Sequence, residues 1–157
     1  MTAEIRNCDC LKLRTARSAD LPEVLALLGR AQLPTAGVAE SLHNFIVAER
    51  EDELIGVAGL EVYGASALLR SVAVEDSWRG SGVGRTLIDR ALDEARRAGI
   101  EDVFLLTTTA ENYFPRFGFS CVRREQVRDE VRASVEFQDA CPASAVVMRK
   151  SLELDRR

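Results

Sequence analysis

The stretch Arg79-Gly80-Ser81-Gly82-Val83-Gly84 brings three glycines into five residues, directly ahead of the strongest helical pattern in the chain. Because glycine has no Cβ, a ligand can approach the main chain closely at this turn and meet its N–H groups. The N-terminus of the following helix adds unpaired N–H donors and positive dipole charge. Arg79 and Arg85 flank the turn with fixed positive charge. The stretch therefore predicts a binding turn for a diphosphate or a similar anion, with an ordinary glycine-rich connection as the alternative.

Two other phosphate-binding motifs fit this stretch less well. A P-loop needs Gly-Lys-Ser/Thr where the helix begins, and no lysine stands there. A dinucleotide-binding fingerprint needs a third glycine where the chain has Arg85, although Glu101 and Asp102 follow about twenty residues later, where a ribose-binding acid would stand. That fold also repeats strand–helix units, whereas neighbouring strands, most simply antiparallel, precede the motif here. Coenzyme A is the third ligand that such a turn suits.

The hydrophobic pattern predicts a single α/β domain over residues 1–157, with its core in about 11–150. Apolar runs predict strands at 11–17, 44–49, 53–63, 67–74, 103–106, 119–122 and 145–149. Helical spacing predicts a helix after Ser18, with Ser18 as its N-cap, and a long helix from Val83 to Ala98 that ends at Gly99. Shorter helices are predicted within 31–42, 111–117 and 124–133.

The composition is typical of a cytoplasmic globular protein. Of the 157 residues 46% are hydrophobic and 29% charged, so there are enough apolar side chains to bury a core. No apolar run approaches the ~20 residues of a membrane helix, and the first residues lack the profile of a secretory signal. We therefore expect a cytoplasmic location and no membrane partner. The net charge of −4 weighs against a nucleic-acid partner, because electrostatic nucleic-acid binders are usually basic.

The cysteines and the single histidine predict no metal centre. Cys8, Cys10, Cys121 and Cys141 lack zinc-ligand spacing, so no metal is expected, although Cys8 and Cys10 are candidate ligands for a soft metal or arsenite. A Ser-His-Asp or Cys-His mechanism would have to use His43. His43 stands just ahead of an apolar run, and we predict a turn or strand-entry residue.

In this context, Arg-Gly-Ser-Gly-Val-Gly resembles the Q/R-x-x-G-x-G/A signature of the GNAT superfamily of N-acetyltransferases. The order of predicted elements is similar to that fold across about residues 11–150. The resemblance implies a mixed, mostly antiparallel sheet of six to seven strands, splayed between strands 4 and 5, with flanking helices. It also implies an enzyme that takes an acetyl group from acetyl-CoA.

Several segments resemble particular subgroups of that superfamily. The segments LPT (33–35), GLEVYG (59–64), LLRSVAV (68–74), LLTTTA (105–110), F-x-x-x-G-F (114–119) and CPASAVVM (141–148) resemble the arsenic-resistance acetyltransferases. The Leu-Thr-Thr of LLTTTA and the region 124–147 are also similar to the acetyltransferase domain of bacterial N-acetylglutamate synthase.

The resemblance implies how acetyl-CoA would be held. In the family it lies in a V-shaped opening between the fourth and fifth strands, here Leu68–Val74 and Val103–Thr107. The main chain of Val72, Ala73 and Val74 would pair with the pantetheine as an added strand does. The turn from Arg79 to Arg85 would cradle the diphosphate. By match to the family, the further residues that would contact coenzyme A are Asn112 and Phe117.

The implied reaction is aminolysis of a thioester, which needs a proton acceptor because free amines are mostly protonated at neutral pH. Glu61 is the candidate base, directly or through water, with a solvated strand glutamate as the alternative. A main-chain N–H near Val74 would stabilise the oxyanion. Many family members have a tyrosine acid four residues before the glycine of the Gly-Phe pair, but this chain has Phe114 there. Ser71 or water is then the candidate donor to the thiolate.

We expect the acceptor to be a small amino-acid-like amine. Arg70 is a candidate contact for a carboxylate or arsinate, and Ser71 and Ser144 match positions that line the amino-acid pocket of the glutamate-synthase-like relatives. Those relatives' nearby arginine is Pro142 here, which weighs against glutamate. An arsenic-containing amino acid analogue or a related amino acid is the favoured acceptor.

Two alternatives to this function stay open. Phe114, at the place of the acid, is compatible with a non-catalytic acyl-CoA-binding or regulatory module. A protein or peptide N-acetyltransferase would share the same fold. Since family members often form dimers, a homodimer is expected by analogy alone.

Overall fold

The computed structural model describes residues 11–134, 137 and 144–152. Within them lies a seven-stranded sheet of order β1-β2-β3-β4-β5-β7-β6. The strands are β1 Leu11–Thr15, β2 Phe45–Arg50, β3 Glu53–Tyr63, β4 Ser66–Val74, β5 Asp102–Thr107, β6 Ser120–Val122 and β7 Val146–Ser151. The helices are α1 Leu21–Arg30, α2 Val38–Ser41, α3 Val83–Arg97 and α4 Asp129–Arg132. Single 3-10 turns cover Ser18–Asp20, Leu42–Asn44, Asp76–Trp78, Phe114–Phe117 and Arg124–Gln126.

The pairing of the strands confirms the predicted mixed sheet. The antiparallel pairs include β1 with β2, β2 with β3, β5 with β7 and β6 with β7. β4 and β5 are parallel, and among the described residues they pair over only Ser66–Leu68 and Asp102–Phe104. By contrast, β5 pairs with β7 along its whole length, from Asp102 to Thr107. The fourth and fifth strands therefore part after three residue pairs, as the family resemblance implies.

The described residues divide into two compact units. The first unit contains 11–59 and 71–91, and the second contains 60–70 and 92–152. In the first, α1 packs Val24 and Leu28 into a core with Phe45 of β2 and Val57 of β3. In the second, the core joins the strands to the region of α4; it contains Leu68, Phe104, Val127, Val131 and Val147.

Helix α3 follows the apolar stripe that predicts it. Leu87, Ile88 and Ala91 on this stripe are all fully buried. Gly99 ends the helix with φ +82°, and the Ile100 N–H donates to the Ala95 carbonyl, as expected for a left-handed C-terminal cap. The prediction of a long helix that begins at Val83 and ends at the Gly99 cap is thus confirmed, with Arg97 as its last helical residue.

The prediction of Ser18 as a helix N-cap is wrong. Ser18 begins a 3-10 turn, and α1 begins three residues later at Leu21. The polar group that organises this entry is the Asp20 carboxylate, which accepts the Arg17 N–H at 2.7 Å and both terminal nitrogens of Arg14 at 2.8 and 3.0 Å. Because the two bonds from Arg14 are charge-assisted, Asp20 is a stronger hydrogen-bond acceptor than the Ser18 hydroxyl at this helix start.

The predicted helix over 124–133 is also interrupted. It consists of the 3-10 turn Arg124–Gln126 and the single turn of α4, with extended backbone at Val127 and Arg128 between them. The Gln126 side chain accepts the Arg123 N–H at 2.8 Å, which closes the first turn on itself. His43, predicted as a turn or strand-entry residue, lies in the turn that leads directly into β2.

Gly59 lies opposite Phe45 in the β2–β3 pairing, and a Cβ added to it would approach the Phe45 ring closer than 3.0 Å. We expect Gly59→Ala to lower the free energy of unfolding by about 1–3 kcal/mol, because the ring is fully buried and has to shift. Denaturant unfolding measures this change in the free energy of unfolding. Gly29→Ala is the matched control, since α1 leaves open space at Gly29, and it should leave the protein equally or more stable. An equal decrease of the free energy of unfolding in both variants would contradict the predicted clash with Phe45.

The pKa of Asp20 is lowered to about 2, mainly by the hydrogen bonds from the Arg14 guanidinium and also by the Arg17 N–H and the charges of both arginines. Burial of the carboxylate acts in the opposite direction and raises the pKa. A lowered carboxyl pKa stabilises the fold above pH ~4, and that contribution is lost as the pH falls towards 2. Asp20→Asn should therefore be less stable than the parent at pH 5–7, and the difference should shrink below pH 4. Unfolding free energies measured from pH 7 to pH 2 test this; a constant difference would contradict it.

Candidate active site

The glycine turn lies in the first unit and has the form that its sequence predicts. Gly80 and Gly82 have φ +79° and +94°, and a Cβ at either would meet nothing within 4 Å. Glycine is therefore favoured at both positions by the backbone conformation and not by a lack of space for a side chain. The Ser81 hydroxyl donates to the Trp78 carbonyl, and the Arg79 Nε lies 3.2 Å from Asp76.

Helix α3 begins directly after this turn with open N–H groups. The Thr86 N–H donates to the Gly82 carbonyl at 3.0 Å. The N–H groups of Val83, Gly84 and Arg85 precede that bond and have no acceptor within the helix. With the helix dipole, three such donors favour an anion, and the exposed Arg85 side chain adds positive charge.

The end of β4 in the first unit carries an unusual backbone. Ser71 has φ +59°, a left-handed conformation that is uncommon outside glycine, and it is 7% exposed. Val72, Ala73 and Val74 follow it to the end of the strand. Val74 also lines a small open hollow, together with Leu27 and Arg30 of α1 and with Glu75 and Arg79, among others. Strain of this kind is concentrated at functional sites.

The second unit contains a buried charge cluster that is centred on Glu61. Glu61 Oε2 accepts Arg70 Nη1 at 2.7 Å, and Glu61 Oε1 accepts the Tyr63 hydroxyl. Glu61 is 5% exposed, and the Arg70 side chain is fully buried. Ser134, in the turn after α4, lies close enough to Tyr63 to act on its pKa, which it lowers.

Tyr63 and Ser134 were not among the residues that sequence analysis selected. Burial, and then the hydrogen bond and negative charge of Glu61, raise the pKa of Tyr63. The sequence carried one usable signal, because residues two apart on a strand point to the same face, so Tyr63 belongs beside Glu61. No local pattern in the sequence indicates Ser134, which approaches from the turn after α4.

The aromatic group around Phe114 is a packing cluster. Phe114 is 8% exposed, and its ring lies 5.4 Å from that of Tyr113 and 5.8 Å from that of Phe119. Phe117 is half-buried in the same group, and Asn112 is exposed in the preceding turn. Contacts of Asn112 and Phe117 with coenzyme A stay predictions.

The remaining predicted residues lie near or beyond the edge of the described chain. Ser144 is exposed in a turn ahead of β7, and its role also stays a prediction. Cys8, Cys10, Cys141 and Pro142 lie outside the described residues, and Cys121 is an exposed free thiol. Within the part that the structure covers, no group of three or more His, Cys, Asp or Glu side chains is arranged to hold a metal ion. The helices of that part include none with the length and apolarity to span a bilayer.

Comparison with known proteins identifies the family. The family described as acetyltransferase (GNAT) domain matches residues 41–121. An amino-acid acetyltransferase of Mycobacterium tuberculosis is 30% identical over 98% of this chain and 90% of its own length. An amino-acid acetyltransferase of Mannheimia succiniciproducens is 27% identical over 80% of this chain, which spans only 31% of that longer protein.

Solved structures agree with this result. A Mycobacterium tuberculosis protein crystallised with CoA superposes with a TM-score of 0.77 and 26% identity, over 90% of this chain and 99% of its own. N-acetylglutamate synthase from Neisseria gonorrhoeae, complexed with coenzyme A and N-acetyl-glutamate, gives a TM-score of 0.79 at 21% identity and shows the same fold. The superposition includes 91% of this chain and 35% of that enzyme's chain. The chain therefore belongs to the GNAT family of acetyltransferases and is an N-acetyltransferase that uses acetyl-CoA.

Proposed function

We propose that the chain transfers the acetyl group of acetyl-CoA to the amino group of a small amino acid or a close analogue. The observation that carries this proposal is the bare main-chain turn at Gly80 and Gly82 ahead of the open N–H groups of α3. The acceptor class is supported by relatives named amino-acid acetyltransferases, among them the Mycobacterium tuberculosis protein that aligns with 98% of this chain. Because several relatives are about three times longer than the matched region, the activity of those whole proteins is not assigned to this chain.

The diphosphate of acetyl-CoA is assigned to the turn from Arg79 to Arg85. Main-chain N–H groups at a helix N-terminus bind such a group without needing particular side chains. The pantetheine is assigned to the last residues of β4, Val72–Val74. The left-handed Ser71 interrupts the regular strand just before them.

The chemistry assigns a proton acceptor and a proton donor. The neutral amine attacks the acetyl carbon, the new C–N bond forms, and the C–S bond breaks. Glu61 takes the proton that the amine loses, directly or through water, and the departing thiolate takes a proton from Ser71 or water. Phe114 has no proton to give. The burial of Arg70 against Glu61 favours a role through that carboxylate over direct contact with the acceptor.

The identity of the acceptor is tested by thiol release from acetyl-CoA across a panel of amines. The panel contains glutamate and other amino acids, an arsenic-containing amino acid analogue, and peptides with a free N-terminus or lysine. Turnover with a free amino acid or the arsenic analogue supports the proposal. Turnover with peptides alone would favour a protein acetyltransferase, and coenzyme A binding with no turnover would favour a regulatory module. The arsenic analogue is included because segments such as GLEVYG (59–64) and CPASAVVM (141–148) resemble the arsenic-resistance acetyltransferases.

Gly82→Leu should raise the KM for acetyl-CoA about tenfold or more, since a side chain there obstructs N–H contacts to the diphosphate that are each worth about 1.5–3 kcal/mol. Steady-state kinetics with varied acetyl-CoA measures the effect. Gly99→Leu is the matched control, because Gly99 also has positive φ and open space at its Cβ but caps the other end of α3. Equal KM values in the two variants would remove the turn from the assignment.

Glu61→Gln should lower kcat by about 10²–10⁴-fold, the usual contribution of a positioned general base, while the KM for acetyl-CoA changes little. Parallel thermal unfolding of the variant shows whether the fold is retained, because Arg70 loses its charged partner. An unchanged kcat in a folded variant would remove Glu61 from the mechanism.

A further inference from the structure

We propose that Tyr63 and Arg70 are positioning residues, which together hold the Glu61 carboxylate in one orientation for accepting the amine proton. The inference rests on the proposed function, in which Glu61 is the base, and adds two residues that act through it. It is drawn from the cluster in the second unit, where each oxygen of the Glu61 carboxylate has its own anchor.

The strand geometry places these groups together. Glu61 and Tyr63 lie two residues apart on β3 and share one face, while Val62 between them is exposed on the other face. Arg70 comes from β4, which follows β3 after the tight turn at Gly64 and Ala65. The Arg70 side chain is fully buried, so its charge is directed at Glu61 and away from solvent.

The hydrogen bonds from Arg70 and Tyr63 fix the Glu61 carboxylate and still leave hydrogen-bond acceptor sites on its oxygens. A carboxylate has about four acceptor sites on its two oxygens, and Arg70 and Tyr63 occupy one on each. The remaining sites can take a proton from an amine or a bridging water. A free glutamate side chain rotates about three bonds, and two fixed contacts remove most of that freedom before the amine arrives.

Tyr63 is suited to be a permanent donor in this arrangement. Burial and the Glu61 carboxylate raise its pKa, so the hydroxyl keeps its proton at any pH at which the enzyme would be assayed. The Tyr63 hydroxyl donates its proton to Glu61 Oε1, so this donor stays in place throughout the assay range. Among the described residues, the charged groups that act on Tyr63 are Glu61 and Arg70.

A double-mutant cycle separates positioning from simple packing. Tyr63→Phe keeps the ring and removes only the hydroxyl, and it should lower kcat roughly tenfold with little change in the KM for acetyl-CoA. In a Glu61→Gln background the same Tyr63→Phe change should alter kcat less than about twofold, because the group it positions is already gone. Tyr113→Phe is the matched control: its hydroxyl has no hydrogen bond among the described residues, and kcat should stay within about twofold of the parent.

A second variant tests the arginine without leaving a buried carboxylate unpaired. Arg70→Lys keeps the positive charge but loses the planar geometry of the guanidinium, so kcat should fall by a few-fold while the protein stays folded. A kcat equal to that of the parent would remove Arg70 from the positioning role.

The outcomes distinguish failure of this inference from failure of the proposed function. If Glu61→Gln loses kcat and Tyr63→Phe does not, the positioning role of Tyr63 is wrong and the base assignment stands. If Tyr63→Phe lowers kcat equally in both backgrounds, Tyr63 acts through packing and the inference is overturned. If Glu61→Gln leaves kcat unchanged, the base assignment and the positioning role fail together. Absence of thiol release with every amine in the parent protein would overturn the proposed function itself.

Discussion

The left-handed backbone at Gly80 and Gly82 leaves the main chain uncovered directly ahead of α3, and the proposed binding of coenzyme A depends on it. A side chain at either position would be strained, and neither glycine is there to relieve crowding. The turn therefore supplies N–H groups and dipole charge at the start of α3, and it discriminates through geometry more than through side-chain identity. In the proposed assignment a diphosphate binds here, where local positive charge would offset the net charge of −4.

The second constraint is the buried charge of Glu61. Removing a carboxylate from water is costly unless it is paired and hydrogen-bonded, and here Arg70 and Tyr63 supply both kinds of partner. Such a cluster is poor evidence for stability alone, because an apolar replacement of the same shape is often as stable. Its presence in the interior of the second unit is better understood as orientation of one reactive group, the Glu61 carboxylate.

The sequence predicted those features that depend on short-range pattern. Strand periodicity, the stripe of α3 and the positive φ at Gly99 all follow from local spacing, and each is confirmed. The proximity of Ser134 to Tyr63 was not predictable, because Ser134 lies 71 residues further along the chain and only tertiary packing brings the two together. The left-handed Ser71 gave no signal either, since a serine in an apolar run reads as ordinary strand. At the start of α1, the Asp20 carboxylate accepts hydrogen bonds from Arg14, and the helix begins after Asp20 and not after Ser18. The capping preference of serine was therefore not sufficient to predict this helix start.

The most direct test of the central claim is calorimetric titration of the purified chain with coenzyme A and, separately, with pantetheine, which lacks the diphosphate and the nucleotide. If the glycine turn holds the diphosphate, coenzyme A should bind at least about tenfold more tightly than pantetheine, since each charge-assisted N–H contact contributes about 1.5–3 kcal/mol. The advantage should fall markedly in Gly82→Leu. Equal affinity for the two compounds, or no heat of binding with coenzyme A, would contradict the account.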